Sequence, residues 1–239
     1  LIGHNNTIRS LVINNDNELI SGSNDRTIKI WNTLTGECRI TLNNHSLSVN
    51  ALIINRNNEL ISGSSDRTIK FWNMTTGEVK RTFTDAHTGD INSLVINNED
   101  FLLSGSSDNT IKIWNMNSGE CIMTLLNHTY FVNSLYINNN NDNQLISGSS
   151  DNTIKIWDLV AGESIKTLSG HTGAIRALVM NKNNQLISGS HNSHIMIWNI
   201  ETGECIRNLT GHTSVIHSLI TNNYDELISG SSDRTIRIW

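Results

Sequence analysis

Apolar and polar positions follow one another in short runs along the chain. After each histidine comes a run such as INSLVIN (91–97), then an Asn-rich turn, then LISGS, then TIKIW. A second turn carries Gly36, Gly77, Gly119, Gly162 or Gly203 followed by Glu, and a last run such as ECIMTLLNH (120–128) leads to the next histidine. The runs are short, rich in β-branched residues and bounded by Gly and Asn, which predicts strands rather than helices. In SLVI the apolar residues are consecutive, which predicts a strand buried on both faces. TIKIW alternates, which predicts one face on the core and Lys or Arg in solvent. The chain is therefore expected to be all-β.

The runs repeat. Tryptophan recurs at Trp31, Trp72, Trp114, Trp157, Trp198 and Trp239, with separations of 41, 42, 43, 41 and 41. Ser-Gly-Ser triplets begin at Ser21, Ser62, Ser104, Ser147, Ser188 and Ser229 with the same separations. Histidine keeps step at His4, His45, His87, His128, His171 and His212. Three independent markers in one register divide the chain into repeats at approximately 1–31, 32–72, 73–114, 115–157, 158–198 and 199–239. Four strands per unit of about 40 residues is the period of a propeller blade.

Composition narrows the function. The 239 residues carry a net charge of −5 without any run of five like charges, and no basic face suggests nucleic-acid binding. No apolar run approaches the length of a membrane-spanning helix, and LIGHNNTIRS has no apolar segment of a signal peptide. The 36 asparagines make Asn-x-Ser/Thr triplets frequent by chance, so those at Asn73 and Asn208 do not imply secretion; the Asn clusters, INNNNDNQ (137–144) among them, read as turns. Cys38, Cys121 and Cys205 occupy one position of three separate repeats, which fits neither a disulfide framework nor a metal site. They are expected to be partly buried thiols in a reducing compartment, which predicts a cytoplasmic protein with the nucleus left open.

Ser, His and Asp recur together in the repeats, and these are the side chains of a hydrolase triad. Catalysis needs one exposed nucleophile beside an oxyanion hole, whereas this set occurs in every repeat but one. The exception has Asn192 in place of Asp, and an amide cannot orient an imidazolium as a carboxylate does. A sialidase-like Asp box needs Gly soon after its Asp, but Arg67-Thr68-Ile69 follows Asp66. No enzymatic activity and no cofactor are expected. His191 and His194 share a turn with His217 one repeat on, but no carboxylate or Cys completes a metal site.

The chain resembles the WD40-repeat β-propeller family over its full length. The resemblance rests on Gly3-His4, Gly170-His171 and Gly211-His212, on the Ser-Gly-Ser strands, on the turn Asp and on the closing Trp. The Trp-Asp pair survives once, as Trp157-Asp158; Asn32, Asn73, Asn115 and Asn199 stand elsewhere. Asn44, Ala86 and Asn127 replace Gly before His45, His87 and His128. The resemblance implies a propeller of six four-stranded blades, the last lacking most of its outer strand, of which Leu1-Ile2 are a remnant. It implies that the chain is a fragment with native sequence beyond one or both ends.

The family also implies a buried hydrogen-bonded set in each blade. Carried over, the sets are His4, Ser21, Asp25 and Trp31; His45, Ser62, Asp66 and Trp72; and His87, Ser104, Asp108 and Trp114. The others are His128, Ser147, Asp151 and Trp157; His171, Ser188, Asn192 and Trp198; and His212, Ser229, Asp233 and Trp239. Partners of the family often dock on the face that carries the histidine loops. The positions there that differ between repeats include Arg9, Asn50, Asp90, Asn92, Tyr130, Phe131, Asn133, Arg176, His191 and His217. Arg and aromatic residues anchor interfaces. The expected function is a scaffold that binds a peptide or partner domain through these residues, with no membrane or nucleic-acid partner. The alternative is a substrate-recognition or sensing module of a larger regulatory protein, such as a ubiquitin-ligase receptor or an ATPase- or kinase-linked chain.

Overall fold

The computed structural model describes residues 1–138, 141 and 143–239. Those residues form antiparallel sheets and no helix. Blade one runs Ile8–Ile13, Leu19–Ser23, Ile28–Trp31 and Cys38–Leu42, each strand bonded to the next. Blade two repeats this with Val49–Ile54, Leu60–Ser64, Ile69–Trp72 and Val79–Phe83; blade three with Ile91–Ile96, Phe101–Ser106, Ile111–Asn115 and Cys121–Leu125. Blade four has Val132–Ile137, Gln144–Ser149, Thr153–Asp158 and Glu163–Ser169; blade five has Ile175–Met180, Gln185–Ser190, Ile195–Asn199 and Cys205–Leu209. Blade six has three strands, Ile216–Thr221, Leu227–Ser231 and Ile236–Ile238. The fold is a β-propeller of six blades.

The turns account for the asparagines. Asn14 Oδ1 accepts from the backbone N–H groups of Asp16 and Glu18, at 3.0 and 2.9 Å, and closes the turn between the first two strands. Asn55, Asn97, Asn181 and Asn222 do the same in their blades. The turn also needs a residue at positive φ. Asn17, Asn58, Asp100, Asn184 and Asp225 supply it at 56–65°, a region that Asn and Asp tolerate. In the Asn-rich stretch 137–144, Asn139, Asn140 and Asp142 lie outside the described residues.

The chain divides into two compact units. In the first, Ile20, Ile28, Leu42, Val49, Leu52 and Trp72 form one core cluster, and Ile61, Phe71, Ile91, Leu94 and Trp114 belong to the next. In the second, Ile146, Ile154, Ile175, Leu178 and Trp198 are followed by Ile187, Ile195, Ile216 and Leu227. Each cluster joins a blade to the one after it. The seam depends on the Gly of Ser-Gly-Ser. A Cβ on Gly63 would stand 2.5 Å from Ile91 Cγ2, and one on Gly148 would stand 2.5 Å from Ile175 Cγ2.

Three expectations are corrected. The first strand is buried on both faces in blade two, where Val49, Ala51 and Leu52 are enclosed, but not in blade one. Ile8 and Leu11, the counterparts of Val49 and Leu52, are 50% and 57% exposed. The third-strand lysines do not all face water. Lys70 and Lys155 are buried, with Nζ donating to Thr82 and Thr167 on the adjoining strand. Their methylene stems cover apolar surface while the ammonium finds a hydroxyl. Cys38, Cys121 and Cys205 are exposed, because their strand is the outer edge of its blade.

Candidate functional site

In every blade the Ser of the second strand stands between the His and the Trp. Trp72 Nε1–H donates to Ser62 Oγ at 2.7 Å, and Ser62 Oγ lies 2.7 Å from His45 Nε2. His45 Nδ1 lies 2.7 Å from Asp66 Oδ2. Asp66 accepts only, so Nδ1–H donates to it, and in that tautomer Nε2 accepts from the serine hydroxyl. The chain of donors runs Trp to Ser to His to Asp without an unpaired end. The same sequence of bonds links His4, Ser21, Asp25 and Trp31; His87, Ser104, Asp108 and Trp114; His128, Ser147, Asp151 and Trp157; and His212, Ser229, Asp233 and Trp239.

The connectivity is that of a catalytic triad, but its serines are enclosed. Ser62, Ser104, Ser147, Ser188 and Ser229 have no exposed surface. A tryptophan N–H occupies each Oγ, so no carbonyl can approach it. The carboxylates are held ionised. Burial opposes this at Asp66 and Asp151, but hydrogen bonds from His45 and Thr68, and from His128 and Thr153, outweigh it and keep both below the usual carboxylate range. The threonines were not anticipated from sequence. Thr68 Oγ1 donates to Asp66 Oδ1 at 2.6 Å, and Thr27, Thr153 and Thr235 repeat the bond. Their signal is the recurrence of Thr two residues after each turn Asp.

Blade five departs from this set. His171 Nδ1 meets Asn192 Oδ1 at 3.3 Å, while Ser188 and Trp198 keep their places. Burial above all, opposed by the hydrogen bond of Asn192 and aided by the charge of His194, lowers the His171 pKa to about 4. His171 is therefore held neutral.

The positions expected to meet a partner separate into two kinds. In the first unit, Asn50 is half-buried and donates to Ser65 Oγ at 3.0 Å and to the Ile91 carbonyl at 3.1 Å. Ser65 donates onward to Asp90 Oδ2 at 3.0 Å. Asn92 is half-buried and donates to Ser107. Arg9 is exposed, with Nε on Asn24 Oδ1 at 2.8 Å. In the second unit, Asn133 is half-buried and donates to Ser150 Oγ and the Ile175 carbonyl, both at 2.9 Å. Asn50 and Asn133 tie one blade to the next, and the paired identities Asn50/Ser65, Asn92/Ser107 and Asn133/Ser150 were the available signal.

The second unit also carries an exposed cluster. Tyr130 and Phe131 are 52% and 39% exposed, with ring centroids 4.5 Å apart and planes tilted by 36°. Arg176 Nη1 donates to Asn133 Oδ1 at 3.3 Å, on the strand that follows Phe131. His191 and His217 are exposed, and His217 Nε2 lies 2.6 Å from Ser232 Oγ. Among the described residues, no group of three or more His, Cys, Asp or Glu could hold a metal ion. No helix there is long and apolar enough to cross a membrane. A family model described as "WD domain, G-beta repeat" matches residues 1–32, 36–73, 77–115, 119–158, 162–199 and 203–239. No curated protein matches the chain.

Proposed function

The chain belongs to the WD40 repeat family, and on that premise we propose that it is a protein-interaction scaffold holding a peptide or partner domain, with no chemistry of its own. Propellers of this family commonly bind proteins or peptides. The observation that carries the reading is the exposed, tilted Tyr130–Phe131 pair with Arg176 bonded to the strand that follows it. Rigid aromatic area beside a guanidinium suits an apolar side chain with a carboxylate near it. Arg9 offers a second cationic contact in the first unit. Burial of every network serine supports the absence of hydrolytic chemistry. Three exposed thiols support a reducing, cytoplasmic setting.

The test is capture from lysate by the wild type, by Phe131→Ala/Arg176→Ala and by Arg9→Ala, each confirmed as folded by circular dichroism. The reading expects a protein retained by the wild type and lost, or weakened about tenfold or more, by the double variant. Equal capture by all forms would overturn it.

A further inference from the structure

We propose that Arg176 and His191 of blade five form an oxyanion subsite, and that it takes a phosphoryl group carried by the protein partner, an assignment that rests on the reading above. In every blade the first strand bulges by one residue, which is Arg9, Asn50, Asn92, Asn133, Arg176 or His217. A bulge re-aims the side chain it carries. In five blades that side chain meets the residue just past the second strand. Arg9 Nε donates to Asn24 Oδ1 at 2.8 Å, and Asn50 Nδ2 to Ser65 Oγ at 3.0 Å. Asn92 and Asn133 bond Ser107 and Ser150 in the same way, and His217 Nε2 lies 2.6 Å from Ser232 Oγ. Each pair brings a nitrogen to an oxygen. Blade five instead sets a base beside a base. His191 holds the place of Ser65: its N–H donates to the Ala174 carbonyl at 2.8 Å, as that of Ser65 does to the Ser48 carbonyl at 2.9 Å. Arg176 Nη1 turns to Asn133 Oδ1 in blade four, at 3.3 Å. The His191 imidazole makes no hydrogen bond among the described residues, and both side chains are exposed.

The surroundings favour an anion. Neither Asp nor Glu occurs between Glu163 and Glu201, a stretch that contains the first three strands of blade five. In the other blades the turn after the second strand holds Asp, and the N–H after the histidine donates to it, as Ser46 does to Asp66 at 3.0 Å. Asn192 stands there in blade five, and its Nδ2 donates to Thr172 Oγ1 at 3.2 Å. The turn therefore holds no carboxylate that would repel a bound anion or compete with it for Arg176. Charge separates a phosphoryl group from a carboxylate. Arg9, opposite the neutral Asn24, offers one cation, which a single carboxylate satisfies. Arg176 with His191 offers a guanidinium fork and a second basic nitrogen. A phosphoryl group answers both, with three acceptor oxygens and a charge of about −1.5 to −2 at neutral pH. Phe131 lies two residues before the Asn133 that Arg176 meets, so exposed aromatic area belongs to the same loop.

The experiment titrates phenyl phosphate and benzoate into the isotope-labelled chain at neutral pH and follows it by NMR. Phenyl phosphate is expected to shift the His191 ring and Arg176 Nε–H signals saturably, and to bind about tenfold more tightly than benzoate. Arg176→Asn/His191→Ser copies the pair that blades two, three and four hold. Its amide spectrum is expected to match the wild type outside blade five, with binding lost. His191→Ser alone is expected to weaken binding about fivefold. Absent shifts, equal affinity for benzoate, or binding indifferent to the double variant would overturn the proposal. So would retention of the wild type, and not of the double variant, on vesicles containing phosphatidylinositol phosphate, since the phosphoryl group would then belong to a lipid. A partner captured from lysate that Phe131→Ala loses, but that His191→Ser and phosphatase treatment leave bound, would sink the subsite and leave the scaffold reading standing. Phenyl phosphate binding with capture indifferent to Phe131→Ala/Arg176→Ala would do the reverse.

Discussion

Ser62 illustrates what a single hydroxyl does in this fold. It accepts from Trp72 and donates to His45, so its removal leaves two buried groups without partners. Each such group costs about 1–3 kcal/mol. Ser62→Ala is therefore expected to destabilise more than Trp72→Phe, which removes one of the two bonds, and urea unfolding of both variants measures the difference. Asn192 is the other informative residue. His171 is neutral in the fold with a pKa of about 4, below its ordinary value of 6.5. The unfolded chain binds that proton first, so the stability present above pH 6.5 is lost as pH falls toward 4. Asn192→Asp restores the carboxylate of the other blades. It is expected to raise the His171 pKa by NMR and to flatten the loss of stability between pH 6.5 and 5 by about 1 kcal/mol. The sequence displayed Asn192 as a departure because five sister turns carry Asp. The bond from Asn50 to Ser65 showed only as the recurrence of an Asn/Ser pair in three repeats, since it depends on two residues meeting across a strand pair.

At the scale of the strand, one motif has opposite sensitivities in different blades. Gly63 lies under Ile91, and a Cβ there would stand 2.5 Å from it, whereas one on Gly230 would meet nothing nearer than Ser218 at 4.0 Å. Gly63→Ala is expected to cost about 1–3 kcal/mol through overpacking, and Gly230→Ala to stay within about 0.5 kcal/mol. Thermal unfolding of the pair separates the need for a seat from the needs of the strand itself. Gly77 is different again. Its φ of 80° belongs to the turn, so Gly77→Ala is expected to cost about 1–2 kcal/mol from backbone strain. Strand existence was legible because apolar runs, glycines and asparagines recur at fixed intervals. Burial was less legible. Val49 and Ile8 occupy the same place in near-identical runs, yet only the first is enclosed, because enclosure depends on the neighbouring sheet rather than on the run. Lys70 misled for a similar reason: its alternation is that of a solvent-facing residue, but the adjoining Thr82 receives it.

For the molecule as a whole, net charge and open apolar edges act together. The chain carries −5 at pH 7 and reaches neutrality near pH 6.0. Ile8, Leu11, Ile236 and Ile238 are exposed there as at any pH, so repulsion is weakest where these edges are least opposed. Light scattering is expected to peak near pH 6 and to fall at pH 8. The identical seating of blade on blade has a consequence for descent. Val49 and Leu52 sit on Gly22, Ile91 and Leu94 on Gly63, Ile175 and Leu178 on Gly148, and Ile216 and Leu219 on Gly189. A genetic deletion of residues 158–198 by unequal crossing-over would present Ile216 and Leu219 to Gly148, a junction of the same kind. The number of blades can thus change by whole repeats in one recombination event, and each new joint is one that selection has already tested elsewhere in the gene.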